Sequence, residues 1–233
     1  MKILAVETST DACSAALSID GVITEQFELT PKEHTKLILP MIETLMANAG
    51  LRPQQLDALA FSCGPGSFTG VRIATGVIQG IAFGADLPVV PVSTLAAVAQ
   101  NYFDSADATE NVAFTAMDAR IGEIFWGVYQ RDVAGLAELI GKEAVILATD
   151  IEFPALKGAG IGSGWGVYAN ELQSRLAGYV HNYDVGQNPR AAAIVRLGVR
   201  DYHKGLAVPV EQAMPVYLRD KVAQTEAERK QSK

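Results

Sequence analysis

Residues 64–84, GPGSFTGVRIATGVIQGIAFG, join a glycine-rich loop to a stretch with helical periodicity. Three glycines recur at every fourth position of that stretch, so they lie on one face of the predicted helix: Gly76, Gly80 and Gly84. Each glycine lowers helix stability by about 1 kcal/mol relative to alanine, or about 3 kcal/mol for the three, unless packing restores it. Because a face without side chains lets another backbone approach closely, we expect this helix to pack on a second helix, in the same chain or in another.

The helix expected beside that glycine face is formed by residues 32–49. Thr30 is predicted to cap it, with Pro31 at the first helical position and Glu33 completing a capping box. Its apolar residues form a broad stripe at helical spacing: Leu37, Ile38, Met41, Ile42, Leu45, Met46 and Ala49. This apolar excess favours a helical interface between subunits, with packing inside the chain as the alternative. The candidate interface residues are Leu37, Met41, Leu45, Gly76, Gly80 and Gly84.

The loop SCGPGSFTG leaves a predicted strand and enters the glycine helix. Backbone N–H groups at a helix N-terminus attract anions, and glycines let a ligand approach closely. A second polar turn follows the first strand of the chain, and such turns can also contact phosphate. The candidate nucleotide-loop residues are Thr8, Ser9, Thr10, Gly64, Gly66, Ser67 and Thr69. The loop lacks the lysine of a Walker A motif, so a tight strand-to-helix corner is the alternative.

Strands and helices alternate through the first hundred residues, which is typical of an α/β sheet covered by helices. Near residue 103 the segment FDSADATEN is polar and rich in turn formers. We therefore expect an N-terminal lobe at 1–103 that carries the association helices and a smaller C-terminal lobe at 104–220. Residues 221–233 lack apolar periodicity and are expected to form a flexible tail. The two lobes would share one ancestral unit, a strand hairpin followed by helices.

Residues suited to catalysis or metal binding are sparse in this sequence. The three histidines have no metal-ligand spacing, and no serine lies in a nucleophile elbow. Cys13 and Cys63 lie among small apolar neighbours and are expected to be buried thiols. Asp118, Arg120 and Glu123 are interpreted as a charged hairpin turn. The sequence thus predicts no catalytic residue, no metal site and no cofactor.

Charge and hydropathy narrow the possible partners. The chain carries 19 basic and 26 acidic residues, a formal charge of −7, whereas nucleic-acid binding depends on cationic side chains. Contact with tRNA or other nucleic acid is therefore expected only indirectly, through an assembly. The N-terminus has no signal-peptide pattern, and no stretch of about 18 apolar residues suggests a membrane span. The expected location is the cytoplasm, without membrane contact.

Five segments of the chain resemble motifs of the bacterial TsaB family, also called YeaZ. In order, they are ILAVETSTDACSAAL, GPGSFTGVRIATG, MDARIGEIFWGVY, the GSGW loop and MPVYLRDKVA. The resemblance implies two related α/β lobes of the actin, Hsp70 and sugar-kinase superfamily. It also implies a non-catalytic subunit that forms a homodimer alone and binds the catalytic subunit TsaD through a similar helical surface. With the ATPase TsaE, that assembly threonylcarbamoylates the adenosine beside the anticodon of tRNAs reading ANN codons.

The resemblance also permits a check at single positions. Catalytic relatives follow the strand after the glycine helix with the motif NHLEGH, whose two histidines hold a metal. The corresponding stretch here is STLAAVAQ, with Thr94 and Val98 at the ligand positions, and neither side chain coordinates a transition metal as imidazole does. Two other functions remain as alternatives. One is an ATPase or small-molecule kinase of the same fold, whose magnesium would need Glu7, Asp11 or Asp118; the other is a protease, for which no site is evident.

Overall fold

The computed structural model describes residues 1–219, and ten strands in this part of the chain form two five-stranded mixed sheets. The first sheet contains β1 (Lys2–Glu7), β2 (Ala12–Ile19), β3 (Val22–Leu29), β4 (Ala58–Gly64) and β5 (Val89–Ser93). The second contains β6 (Val112–Arg120), β7 (Glu123–Arg131), β8 (Ala137–Leu147), β9 (Gly158–Ile161) and β10 (Val180–Asp184). The expected tail at 221–233 lies outside the described residues.

The two sheets have the same topology. Their strand orders are β3-β2-β1-β4-β5 and β10-β9-β6-β7-β8. In each, the first three strands of the lobe pair as antiparallel hairpins, and two later strands add in parallel beside the first. This repeated unit confirms the α/β fold with two related lobes.

Six α-helices within residues 1–219 cover the sheets: α1 (His34–Asn48), α2 (Phe68–Ala85), α3 (Thr94–Asp104), α4 (Gly164–Val167), α5 (Ala169–Arg175) and α6 (Ala191–His203). Helices α1 and α2 pack on the outer face of the first sheet, and α4 and α5 on the outer face of the second. Helices α3 and α6 lie between the two sheets. Because α6 packs on β1, β2 and β4, a division at residues 103–104 would remove a covering helix from the first sheet.

The layer between the sheets is built from small residues. Alanines of both sheets and of α3 and α6 share one buried cluster, among them Ala5, Ala60, Ala97, Ala113 and Ala193. A Cβ on Gly198 of α6 would lie 2.9 Å from the Cβ of Ala60. Small side chains therefore set the close approach of α6 to the first sheet, and through it the spacing of the lobes.

Three local sequence predictions were wrong. Helix α1 begins at His34 and not after Thr30, because Lys32 adopts a φ of 68°, which a helix does not allow. Glu33 is therefore the N-cap residue, and its side chain makes no capping hydrogen bond. The stretch LRPQQLDAL, for which the sequence predicts a short helix, contains only a 3-10 turn at Pro53–Gln55. The glycine-rich stretch 158–168, interpreted as a loop, contains β9 and α4, because its glycines fit beneath Trp165 and against β6.

The sequence Asn188-Pro189 predicts a cap for the helix that follows it, but the N-terminus of α6 is held by side chains from the first sheet. The Glu25 carboxylate accepts hydrogen bonds from the Ala192 N–H at 2.9 Å and from Arg190 Nε at 2.9 Å. Ser14 Oγ accepts the Ala191 N–H at 2.9 Å. These contacts satisfy free N–H groups of the first helical turn, so β2 and β3 supply the cap that the local sequence lacks.

A Glu25→Ala variant is expected to lose about 2 kcal/mol in its free energy of unfolding, because it leaves Arg190 and a helix N–H without their charged acceptor. Urea denaturation followed by circular dichroism measures this loss. Glu28→Ala is the matched control, since Glu28 lies on the same strand and is exposed. Equal midpoints for the two variants would contradict the assigned role of Glu25.

Candidate functional site

A cleft of about 570 Å³ opens between the two lobes. Its walls come from the β1–β2 turn, the GPGSF loop, α3, the β6–β7 turn and residues 187–189 and 216–219. Of the predicted nucleotide-loop residues, Ser9, Thr10, Gly66 and Ser67 line this cleft. Thr8 and Gly64 are buried, and Thr69 is exposed on the first turn of α2. The fold thus brings both polar turns to one place.

The glycines of the loop let the two polar turns touch each other. A Cβ on Gly66 would lie 2.5 Å from the carbonyl oxygen of Ser9, and one on Gly70 would lie 2.1 Å from that of Thr8. The Ser67 N–H donates to the Ser9 carbonyl at 2.7 Å. The close approach that the glycines permit is therefore made by the chain's own backbone.

The N–H groups offered to an anion are partly used within the chain. The Ser67 N–H bonds to Ser9, and the Gly70 N–H donates to Ser67 Oγ at 3.3 Å as a helix cap. Thr8 Oγ1 donates to the Gly70 carbonyl at 2.7 Å, which ties the β1–β2 turn to α2. This geometry favours the tight strand-to-helix corner over a phosphate site.

A buried carboxyl group, that of Glu7, lies behind the cleft wall and bonds to Ser9. Its Oε1 accepts both the N–H and the hydroxyl of Ser9 at 2.5 Å. Burial raises the pKa of Glu7 above its ordinary value, and this effect outweighs the hydrogen bonds from Ser9 and Ser62 that lower it. A carboxyl that positions magnesium must be ionised and reachable, so Glu7 is poorly suited to the kinase alternative.

Thr94 and Val98, the two positions that the sequence analysis compared with metal-binding histidines, lie beside Ser9 and the cleft. Thr94 is buried and its Oγ1 donates to Ser9 Oγ at 3.2 Å, while Val98 lines the cleft. Within residues 1–219, no group of three His, Cys, Asp or Glu side chains is placed to hold a metal ion.

Both cysteines are buried, as predicted. Burial is the main cause that raises the pKa of Cys13 to about 11 and that of Cys63 to about 12. Because the thiolate is the reactive form, neither side chain is suited to act as a nucleophile near neutral pH.

The β6–β7 turn carries the charged residues Asp118, Arg120 and Glu123, as the sequence interpretation expected. Arg120 and Ile121 have φ values of 64° and 57°, and Asp118 accepts the Arg120 N–H at 2.8 Å and pairs with its guanidinium at 3.2 Å. Glu123 binds Arg219. These charges are therefore used to hold the turn and the C-terminal segment.

The PVYLR segment forms one wall of the cleft, a role that the sequence analysis missed. The Val216 N–H donates to the Cys63 carbonyl at 2.7 Å, so the segment runs past the end of β4. Arg72 of α2 donates to Tyr217 Oη at 3.0 Å and lies 3.6 Å from the ring centre of Phe68. The position of this segment against α2 therefore depends on a contact between residues 145 positions apart in sequence.

The glycine face of α2 points away from its own lobe. Gly76, Gly80 and Gly84 are exposed, and a Cβ built on any of them would meet no described atom within 4 Å. Phe83 beside them is 80% exposed. The intrachain alternative is thus not seen in residues 1–219, since neither α1 nor any other described element covers this face.

The candidate residues of α1 lie in a different environment. Met41 and Leu45 are only 7% and 4% exposed and pack in the core beneath the first sheet. Leu37 is half-buried. The helical phase of α1 therefore turns most of its apolar stripe inward, and little of Met41 or Leu45 is available to a partner.

The sequence analysis expected no stretch long and apolar enough to span a membrane, but α2 is such a stretch by length and composition. It has 18 residues with a mean hydropathy of 1.2, so by length and composition it reaches the threshold for a membrane span. A single helix of this kind does not establish a membrane span, because core helices of soluble proteins have the same length and hydropathy. About a third of this window is buried, against β4 and β1.

Comparisons with known proteins decide the family. A family model described as TsaD, tRNA N6-adenosine threonylcarbamoyltransferase, matches residues 18–227. The chain is 40% identical over 227 residues to tRNA threonylcarbamoyladenosine biosynthesis protein TsaB of Escherichia coli K12, and the match covers 96% of both chains. The chain belongs to the TsaB family. It is also 38% identical over 237 residues to the protein of the same name from Haemophilus influenzae, covering 95% of each.

A solved structure of the TsaB family supports the fold as well as the sequence match. The structure described as YeaZ from Pseudomonas aeruginosa aligns with a TM-score of 0.86 and 39% identity, covering 93% of this chain and 99% of that one. The family resemblance and the two-lobe fold predicted from sequence are therefore confirmed.

Proposed function

We propose that the protein is a non-catalytic subunit required for threonylcarbamoylation of the adenosine beside the anticodon in tRNAs reading ANN codons. It acts by binding and supporting a TsaD-like catalytic subunit, together with a TsaE-like ATPase. The exposed glycine face of α2 carries the proposal, in a chain whose relatives are named for tRNA threonylcarbamoyladenosine biosynthesis.

The interlobe cleft supports an accessory role over an enzymatic one. The Ser67 N–H is paired to Ser9 of the β1–β2 turn, the Gly70 N–H is used by the helix cap, and burial raises the pKa of the nearby acid, Glu7. Neither a nucleophile with a base nor a bound metal is needed to explain the polar side chains present. In this proposal the fold of an ATP-binding ancestor is kept, while the two loops that could hold phosphate bond to each other.

The partner surface is a shallow trough along α2. Phe68, Arg72, Gly76, Gly80 and Gly84 follow one another at four-residue spacing, over about 24 Å of helix at 1.5 Å per residue. The glycines form the floor of the trough, and Phe68 and Phe83 stand near its two ends. A helix of the partner can then approach the α2 backbone closely, and aromatic and arginine side chains at the ends are typical of interface hot spots.

The same trough serves a homodimer when the chain is alone. A second copy and the TsaD-like subunit would compete for one surface, because a trough formed by one helix accommodates only one partner helix at a time. We place this assembly in the cytoplasm without membrane contact, with α2 covered by protein and tRNA reached only through the complex.

Reconstitution tests this function directly. With purified TsaD-like and TsaE-like proteins, the enzyme that makes threonylcarbamoyl-AMP, and tRNA, we expect modification that depends on this chain. The chain should also co-elute with the TsaD-like subunit in size-exclusion chromatography at micromolar concentration. Separate elution, or modification at the same rate without this chain, would overturn the proposal, and ATP turnover by the chain alone would favour the kinase alternative.

A further inference from the structure

A second polar cluster lies away from the interlobe cleft, where β5 and α3 meet the second sheet. The Glu143 carboxyl of β8 lies in a cavity of about 310 Å³ and receives hydrogen bonds from Ser93 Oγ and Tyr129 Oη on the same oxygen, Oε1. Ser93 ends β5 in the first sheet, whereas Tyr129 and Glu143 belong to the second. One carboxyl oxygen thus joins the two lobes.

Ser93 has a second task in this cluster. Its Oγ accepts the N–H groups of Leu95 at 3.1 Å and Ala96 at 3.3 Å, so it caps the N-terminus of α3. Ser93 also donates its hydroxyl proton to Glu143, so the residue that caps α3 is bonded to the second sheet as well. Further along the helix, Gln100 accepts the Ala137 N–H at 2.8 Å, at the start of β8.

The protonation state of Glu143 determines how favourable the contact among Ser93, Tyr129 and Glu143 is. Burial raises the pKa of Glu143 above its ordinary value, against the hydrogen bonds from Ser93 and Tyr129 that lower it. Burial likewise keeps the pKa of Tyr129 well above its ordinary range, so Tyr129 remains a donor. As a neutral acid, Glu143 accepts both hydrogen bonds without a buried charge; once ionised, it needs water from the cavity.

We propose that the proton on Glu143 controls how firmly the start of α3 is held against the second sheet. When that proton is lost, the ionised carboxylate draws water into the cavity and the contact among Ser93, Tyr129 and Glu143 loosens. Glu143 is then a pH-sensitive link between the lobes, separate from both the cleft and the α2 trough.

The other ionisable groups around Glu143 come from three elements. Cys63 of β4 adds only a thiol whose pKa is raised to about 12. Across the cavity, Arg200 and Asp201 of α6 pair with each other at 2.7 Å. Glu138 of β8 and Lys204, directly after α6, also line the cavity and are exposed, so solvent weakens their influence on the buried carboxyl.

Glu143→Gln mimics the neutral acid and isolates its effect. The amide oxygen still accepts from Ser93 and Tyr129, but no charge can form. Because the folded-state pKa of Glu143 is raised, stability from its proton is present below the ordinary glutamate pKa and is lost as pH rises through the folded value. The variant should therefore match the parent in melting temperature near pH 4 and exceed it by about 2–4 °C at pH 8.

The measurement is the melting temperature of parent and Glu143→Gln from pH 4 to pH 8. Glu7, whose pKa is also raised, is present in both proteins and cancels in their difference. Glu138→Gln on the same strand is the matched control and should follow the parent at every pH. A difference that stays constant with pH, or a Glu143→Gln protein less stable than the parent, would overturn the proposal.

Hydrogen exchange distinguishes a loosened link from a uniform loss of stability. After correction for the intrinsic pH dependence of exchange, peptides from the first turn of α3 and from β8 should exchange faster at pH 8 than at pH 6 in the parent. They should not do so in Glu143→Gln. Acceleration of the same size in both proteins would contradict control by this proton.

Discussion

A Gly80→Leu variant is expected to remain folded and to lose its association with other subunits. The dissociation constants for the homodimer and for the TsaD-like partner should both rise about a hundredfold or more, which corresponds to about 3 kcal/mol. The physical reason is steric, because a leucine in the floor of the trough holds a partner helix away from the α2 backbone along its whole contact.

The monomer should tolerate this change because the space above Gly80 is open. A Cβ at this position meets no described atom within 4 Å, and leucine favours a helix over glycine by about 1 kcal/mol. A thermal melt at least as high as that of the parent is therefore expected alongside the loss of binding. Sedimentation velocity and co-elution with the TsaD-like subunit measure the association.

Gln173→Leu is the control for this variant. It also adds an exposed leucine to a helix, but on α5, at the outer face of the second sheet. It should associate as the parent does. If Gly80→Leu sediments as a dimer with unchanged affinity, α2 is not the interface, and the proposed mode of partner binding fails with it.

Gly70→Ala is expected to destabilise the protein by about 3 kcal/mol or more, the upper range for adding a methylene to a packed site. The new methyl group would lie 2.1 Å from the carbonyl oxygen of Thr8, which is backbone and cannot rotate away. The β1–β2 turn and α2 must then separate, and the hydrogen bond from Thr8 Oγ1 to the Gly70 carbonyl is strained.

Urea denaturation provides the measurement, with Gly76→Ala as a control on the same helix. A methyl group at Gly76 meets open space, so this variant should gain about 1 kcal/mol from helix propensity. The same substitution, six residues apart, should therefore change stability in opposite directions. Loss of stability in both variants would show that helix context, and not the contact with Thr8, decides the result.

The Gly70→Ala and Gly76→Ala variants distinguish two roles of glycine in α2. At its N-terminal end α2 needs glycine because another part of its own chain lies against it. Along its exposed face, glycine weakens the isolated helix and gains nothing from residues 1–219. This contrast supports a partner as the source of the missing packing energy, because exposed glycines weaken a helix and a glycine face lets another backbone approach closely.

Several elements followed from local sequence because their physics is local. Ser67 and Ser93 cap the helices that follow them, as serine does when its side chain reaches N–H groups two or three residues ahead. The Asp20–Gly21 turn, with φ values of 49° and 89°, joins β2 to β3 as Asp-Gly pairs commonly do. For the same reason the alternation of strands and helices was enough to predict an α/β fold.

Other features depended on residues far away in sequence. The capping box predicted at Thr30 did not form, because its backbone N–H bonds to Asp11 and Lys32 turns into the left-handed region. The cap of α6 comes from Glu25, 167 positions from Ala192. The Arg72–Tyr217 contact at the cleft likewise joins residues 145 positions apart. A local pattern carries no information about such partners.

By itself, the sequence determined the four-residue spacing of the glycines in α2 and the order of the family motifs along the chain. It also determined that positions 94 and 98 carry no histidine. Only the tertiary structure decided which side of each helix faces solvent, and so turned Gly76, Gly80 and Gly84 outward while burying Met41 and Leu45. The reason is that periodicity defines a face but not its direction. Direction is set by which surface the first sheet must cover, and that surface exists only after strands distant in sequence have paired.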